Sequence, residues 1–468
     1  MSDTPCAGTG RIGELIVGLS GILPAGAILA GADVGPKYAR DATETPGSLP
    51  ELVLRPGSTE EVAAILRACD ALRQPVVVQG GRTGLAGAAR PLPGEVAISL
   101  ERMARVEPPD TDMMSVVAEA GATLQAVQEA AEDAGLTFGV DIGSRGSATV
   151  GGNLATNAGG IRVLRYGMYR AQLIGLEVVL ADGSILSSMR GLHKDNTGYD
   201  LGQLLVGSEG TLGVITRACL RLFPKPRSAI NAFCAAASVD ASIALLHRLR
   251  RHLGPFLSAY EVILNDLYRP VSELLGAAAP MPATAPIYVL AETQGADLET
   301  DRNAFQEVLV AALEEELLSD VVVAQSGRDY VQLWGVREKC SEYLFALGGT
   351  IGFDVSLPLG RMSSFLDAAG TALAAIDPAA RAYVFGHLGD GNLHYIVHTT
   401  NHERVADAVL SCTAAQGGSI SAEHGIGMDK RPWLRLVRSE SEIAAMRRIK
   451  QALDPNLILN RDRVFEAE

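Results

Sequence analysis

Short apolar runs broken by glycine and proline alternate along the chain with longer stretches whose apolar residues recur every three or four positions. Leu52, Val53 and Leu54 form one such run, closed by Pro56-Gly57. Ser58-Thr59-Glu60-Glu61 then opens a helix capped by Ser58 or Thr59, with Val62, Ile65, Leu66 and Cys69 at core spacing. Residues 75–78 read as a strand that feeds directly into a glycine-rich turn. Residues 176–180 and 185–186 flank Ala181-Asp182-Gly183-Ser184 and predict a hairpin. From residue 228 the order becomes strand, helix, strand, helix: 231–236 and 288–292 are extended, 242–252 and 302–318 helical. Residues 12–32 are apolar enough to raise the question of a membrane span. Glu14, Pro24 and the interspersed glycines instead predict a short helix, a turn and a second short piece.

At 468 residues the chain has room for two or three domains, each with a full core. A formal charge of −14, with no run of Lys or Arg to offset it, argues against a nucleic-acid partner, so an anionic substrate needs local cations. The cysteines at 6, 69, 219, 234, 340 and 412 show neither C-x-x-C nor finger spacing. That excludes an in-chain iron–sulfur cluster and predicts a reducing, cytoplasmic setting. Asp3 precedes any basic residue, so the N-terminus lacks the positive region of a secretory signal.

Two kinds of glycine-rich run carry candidate chemistry. Gln79-Gly80-Gly81-Arg82-Thr83-Gly84-Leu85-Ala86-Gly87 follows a strand, where missing side chains let backbone N–H groups converge on a phosphate. It fits neither G-x-G-x-x-G nor the nucleotide-triphosphate P-loop. Residues 141–160 are rich in small, hydroxyl and carboxamide side chains and suit an extended polar ligand, with Asn153, Thr156 and Asn157 set among apolar neighbours. Gly207-Ser208-Glu209-Gly210-Thr211-Leu212-Gly213 is a further glycine turn entering a strand.

The second kind is Gly386-His387-Leu388-Gly389-Asp390-Gly391-Asn392-Leu393-His394, flanked by Val384-Phe385 and Tyr395-Ile396-Val397. It predicts a tight hairpin that brings two imidazoles together. Glu423, in Ser421-Ala422-Glu423-His424-Gly425-Ile426-Gly427, would complete a two-His, one-carboxylate set for a divalent metal, with Zn2+ expected and Mn2+ or Fe2+ as alternatives. His424 is then left over as a base.

In this order and over most of the chain, these motifs resemble the FAD-linked oxidases of the vanillyl-alcohol oxidase and p-cresol methylhydroxylase type, in the D-2-hydroxy-acid dehydrogenase branch. The resemblance implies an α+β fold: an N-terminal lead (1–44), a two-subdomain FAD domain (45–226) closed by Pro224-Lys225-Pro226, a substrate domain (227–422), and a C-terminal helical segment (423–468) returning to the flavin. The substrate domain is expected to be an antiparallel sheet with helices on one face. Gln79, Gly80, Gly81, Arg82, Thr83, Gly84 and Leu85 would hold the pyrophosphate. Asp141, Gly143, Ser144, Ser147, Gly151, Gly152, Asn153, Thr156, Asn157 and Gly159 would hold the rest of the FAD, with Val214, Ile215 and Asn460 completing the site. Members with covalent FAD use a His in the first loop; Arg82 and Thr83 stand here, which implies non-covalent FAD.

The same resemblance implies oxidation of a D-2-hydroxy acid, D-2-hydroxyglutarate favoured, to the 2-oxo acid. Arg337 would pair with the substrate carboxylate, Ser341 would supply a hydroxyl, Asn392 would orient the substrate and His424 would take its proton. The alternatives are a D-lactate or glycolate dehydrogenase of the same branch, a metal-independent FAD oxidase using oxygen, and a flavin subunit active only in a complex. The implied electron acceptor is an electron-transferring flavoprotein or a quinone-linked carrier, and a homodimer is left open. Three positions depart from the pattern. Gly352 stands where relatives acting on 2-hydroxyglutarate carry Lys, Ser341 replaces Thr, and Arg461-Asp462-Arg463 replaces Pro-Gly-Lys after Asn460.

Overall fold

The structure is a computed structural model that describes residues 10–43 and 45–466; Cys6 and the acidic start at Asp3 lie outside them. Arg11–Leu19 is a helix, followed after a turn by the short strand Ile28–Ala30. No helix among the described residues is long and apolar enough to cross a membrane.

Two four-stranded sheets build the first half. In one, Ile28–Ala30, Leu52–Leu54, Val96–Ser99 and Val76–Gln79 lie side by side; the first pair is antiparallel and the other two are parallel. The parallel pairing requires a crossover, which Thr59–Ala71 supplies. Ser58 caps that helix by accepting from Glu61 N–H, worth about 1 kcal/mol, while Val62, Ile65, Leu66 and Cys69 are buried as their spacing predicts. The other sheet is antiparallel, in the order Ser115–Glu119, Val214–Arg221, Leu173–Val179, Ile185–Ser187. Both sheets share one apolar core, in which Leu54 and Ile98 of the first, Ile65 of its crossover helix, Val116 and Val178 of the second and Leu124 of the helix Leu124–Asp133 are buried together. Pro224 is not free: Phe223–Pro224 pairs with Leu136–Thr137.

The second half is organised by a seven-stranded antiparallel sheet, in the order Leu318–Val323, Ser228–Ala236, Ile287–Gly295, Leu257–Leu264, Arg381–Gly386, Asn392–His398, Thr350–Ser356. Helices cover both faces, not one. Ile287, Val289 and Ala291 pack with residues of Val239–Leu253, Leu298–Glu314, Met362–Ile376 and His402–Ala415. The alternate residues Tyr288 and Leu290 pack with residues of Asn265–Leu275 and Gly327–Leu347. Double coverage explains why these strands read as continuous apolar runs.

The C-terminal stretch folds back onto the first half. Leu459 bridges Val76, Asn460 Oδ1 accepts from Val78 N–H at 2.8 Å, and the buried Arg463 forms a bidentate pair with Glu95 at 2.5 and 2.9 Å. Cys69, Cys219, Cys234 and Cys340 are buried free thiols and Cys412 is half-buried.

Candidate active site

The hairpin between Arg381–Gly386 and Asn392–His398 turns through a short 3-10 segment, Leu388–Asp390. Gly391, at φ 89°, can turn there because a Cβ would lie 2.6 Å from the Leu357 carbonyl as well as strain the backbone. The turn leaves His387 5% exposed and sets His394 opposite Phe385 in the ladder. The ligand atoms of His387, His394 and Glu423 all lie within 4.8 Å of one another, and His387 Nε2 is 3.8 Å from Glu423 Oε2. Two imidazoles and a carboxylate at this separation suit a divalent ion such as Zn2+, Mn2+ or Fe2+. The donor set therefore fits the metal that the motif implies.

Two buried carboxylates brace this cluster. Strand alternation puts Ala259, Glu261 and Ile263 on the same face of the sheet as Phe385, turned toward the helix Gly327–Leu347. Glu261 is fully buried: its Oε1 accepts from His387 Nδ1 at 2.5 Å and its Oε2 from Arg337 Nε at 2.8 Å. Burial alone would raise the Glu261 pKa, but the His387 and Arg337 charges override it and hold it at about 2. Burial would likewise lower His387, and Glu261 instead raises it to about 9.

Asp354, paired with His394 across the ladder, is the second brace. One oxygen accepts from the backbone N–H groups of Glu423 (2.7 Å) and His424 (3.1 Å), and the other from Asn392 Nδ2 (2.8 Å). Burial opposes its charge, yet His424, His394 and Lys430 keep Asp354 well below the usual carboxylate range. Burial pushes His424 below the ordinary imidazole value despite Asp354 Oδ2 at 3.7 Å from its Nδ1, which favours the proton-accepting form of the ring. Burial also lowers Lys430, whose ammonium donates to Ser421 Oγ at 3.0 Å.

Arg337 and Ser341, four apart on Gly327–Leu347, share a helix face. With its Nε on Glu261 and its guanidinium 4.3 Å from the Phe385 ring centroid, Arg337 has both terminal nitrogens free of protein hydrogen bonds among the described residues. Asn392 also donates to the Val355 carbonyl at 2.9 Å, and its buried Oδ1 has no protein partner among the described residues. Gly352 is exposed, two residues from Asp354 on the same strand face.

The glycine loops meet beside this cluster. A Cβ on Gly81 would collide with the Ser147 carbonyl, and one on Gly80 with Thr149 Oγ, so residues 79–85 and 143–152 touch backbone to backbone. Gly84 and Gly143 face open space. The buried Asn153 sits against the Tyr169 hydroxyl. Arg82 adopts φ 57°, Leu85 is exposed, and Thr83, Ser144 and Ser147 are at least partly exposed. A bare-backbone cradle that opens at Gly84 and Gly143 fits a polar dinucleotide such as FAD.

Other expected contacts are committed to the protein. Gln79 is buried and braces its loop on the Tyr38 and Ala89 carbonyls, leaving its own Oε1 without a partner among the described residues. Asp141 pairs with Arg145 and Arg162. Thr156 bonds within its helix, and Asn157, at φ 53°, accepts from Arg170 N–H. Asn460 links Val78 to the Glu209 carbonyl. Gly151 and Gly152 lie in the helix Val150–Thr156, against Ala120 and Thr149. Val214 and Ile215 begin a buried strand. Gly159 touches the His387–His394–Glu423 cluster itself: a Cβ there would collide with Glu423, whose Oε1 accepts from Gly160 N–H at 2.5 Å.

Reasoning from sequence missed Glu261, Asp354 and Lys430, and with them two buried braces: Glu292, which accepts from Arg162, and Glu209, which accepts from the Ile426 and Gly427 N–H groups. A lone Glu within the apolar strands Leu257–Leu264 and Ile287–Gly295 was the available signal for two of them, because an unpaired charge there would be prohibitively costly.

Known proteins resemble this chain in both sequence and fold. The family model described as FAD linked oxidases, C-terminal domain, matches residues 225–464, and the FAD binding domain model matches residues 50–188. A Bos taurus protein named D-2-hydroxyglutarate dehydrogenase, mitochondrial, is 39% identical over 416 residues, 88% of this chain and 76% of that one. A Xanthomonas citri pv. viticola protein named D-2-hydroxyglutarate dehydrogenase is 39% identical over 441 residues, 92% of each. Among solved structures, p-cresol methylhydroxylase superposes with a TM-score of 0.78 at 16% identity, covering 98% of each chain, a likeness of fold.

Proposed function

Because the chain belongs to the FAD-linked oxidases and is thus an FAD-dependent oxidoreductase, we propose that it oxidises a D-2-hydroxy acid to the 2-oxo acid. The observation that carries this reading is the shared use of Glu261. One buried carboxylate holds both an imidazole of the metal-type cluster and Arg337, whose terminal nitrogens have no protein hydrogen bond among the described residues, so a hydroxy acid can meet both at once.

In this reading residues 45–226 form the FAD domain and 227–422 the substrate domain, while 423–468 bring Glu423, His424 and Asn460 back to the site. His387, His394 and Glu423 would hold the cation, and the cradle of residues 79–85 and 143–159 the FAD. When bound, the cation supplies Lewis acidity toward the hydroxyl and FAD supplies the acceptor for the hydride equivalent.

The chain's own groups do the rest. The two terminal nitrogens of Arg337 pair with the substrate carboxylate, and Ser341 lies one turn further along the same helix to add a hydroxyl. Asn392, fixed through its Nδ2, presents Oδ1 to the substrate. His424 turns Nδ1 to Asp354, which leaves Nε2 to take the hydroxyl proton. Asp354 keeps its charge and supports the imidazolium that results. Electrons then leave for a carrier such as an electron-transferring flavoprotein or a quinone-linked acceptor.

The names of the relatives put D-2-hydroxyglutarate first among substrates. Gly352 favours a second reading, a shorter acid such as D-lactate, because that position offers no cation for a second carboxylate. Anaerobic stopped-flow bleaching of the flavin with D- and L-2-hydroxy acids tests both. Fast bleaching by D-acids alone is expected, and the faster of the two named acids decides between the readings. No bleaching by any D-acid would overturn the proposal.

A further inference from the structure

We propose that Glu261 is a positioning residue that sets metal affinity and substrate-carboxylate binding together; this rests on the functional reading above. Its two oxygens have separate tasks. Oε1 accepts from Nδ1 of His387 at 2.5 Å, which fixes the ring's orientation and leaves Nε2 as the coordinating atom, 3.8 Å from Glu423 Oε2. Partners of this kind, on the far nitrogen of a ligating imidazole, orient the ring and raise its basicity. Oε2 accepts from Nε of Arg337 at 2.8 Å, which ties the guanidinium by its inner edge and presents the outer pair of nitrogens as a fork. Phe385 packs under that guanidinium, its ring centroid 4.3 Å away, and limits its tilt.

Neither partner has a substitute. The side chain of Glu261 is fully buried, so water cannot replace it, and His387 and Arg337 make no other side-chain hydrogen bond among the described residues. Loss of the carboxylate therefore frees a ligand and a substrate anchor in one change. A purely structural Glu261, present to neutralise two buried cations, would instead affect stability alone.

Glu261→Gln separates these accounts, because the amide keeps the volume but can accept from only one of the two N–H groups through its oxygen. The full-length flavoprotein is stripped with a chelator and titrated with Zn2+ against a chromophoric competitor, with His394→Ala as the control for the site. Weakening of Zn2+ affinity by about 10–100-fold is expected for E261Q. At saturating Zn2+, its KM for the hydroxy acid should also rise. Glu261→Asp, one methylene shorter, retains the charge but reaches one partner at best, and should recover one of the two properties only. A lowered melting temperature in E261Q or E261D with Zn2+ affinity and KM both at the wild-type value would overturn the proposal alone. A wild-type protein without His394-dependent Zn2+ uptake would overturn the functional reading and this proposal with it.

Discussion

Glu261 and Glu292 stand on neighbouring strands, on the same face of the same sheet, and both are fully buried. Glu292 is saturated. It accepts from Arg162 at 2.9 and 3.1 Å, from Ser258 at 2.6 Å, from Trp334 at 2.9 Å and from the Tyr330 hydroxyl. Ser258 and Trp334 are buried, Tyr330 and Arg162 are partly so, and Arg162 comes from the first half of the chain and also pairs with Asp141 at 2.7 Å. Glu261 has two partners, and each keeps an unused end: Nε2 of His387 and the outer fork of Arg337. One carboxylate locks two halves of the molecule together, while the other holds groups in readiness for a ligand. Burial and charge are alike in the two centres; only the free valence of the partners tells them apart.

Substitutions can break that contrast from either side. The largest effect is expected at the open centre, where His394→Ala should release the metal and lower turnover on the order of a thousandfold or more, because several kcal/mol of Lewis-acid stabilisation is lost. The flavin spectrum should persist, and metal analysis with steady-state kinetics checks both points. At the closed centre Arg162→Ala removes the counter-charge of the buried Glu292 and leaves only its neutral donors Ser258, Trp334 and Tyr330, which should destabilise the fold by about 3–5 kcal/mol in denaturant unfolding. Zn2+ affinity of the folded fraction should change little, and a large loss there would dissolve the distinction between the two centres.

Arg337→Ala should raise KM and lower kcat together, reducing kcat/KM by roughly a hundredfold for loss of a charge-assisted bidentate contact. An unchanged ratio would remove Arg337 from the site. The smallest effect sharpens the comparison with a partly exposed carboxylate. Glu101 accepts from Tyr38 at 2.6 Å, Lys37 at 2.9 Å and Arg55 at 3.2 Å. Partial burial would raise its pKa, but these partners lower it from 4.5 to about 2. The depressed value means that its contribution is complete above about pH 4.5 and is lost as pH falls toward 2. Glu101→Gln should therefore cost less than about 1 kcal/mol at neutral pH, and the difference from wild type should shrink steadily below pH 4.5 in pH-dependent unfolding.

Much of the local structure could be read from residue order, because it depends on neighbours in the chain. The strand at Leu52–Leu54, the Ser58 cap, the hairpin across residues 181–184 and the glycine turn that unites His387 and His394 all follow from short-range rules. Glu423 could be added as a third ligand because the donor types match, although 29 residues separate it from His394. Helices on both faces of the large sheet were less accessible, since an apolar run shows that a strand is buried without showing what covers it.

What the sequence determined by itself was the chemistry available: which imidazoles, carboxylates and glycines exist, and which of them local turns bring together. Tertiary structure alone decided their condition. Glu261 is a charged brace and not an error in an apolar strand only because Arg337 and His387, 76 and 126 residues away, arrive on its two oxygens. The physical reason is that a charge's cost and a base's pKa depend on what surrounds them within a few ångströms, and chain order does not record those distances.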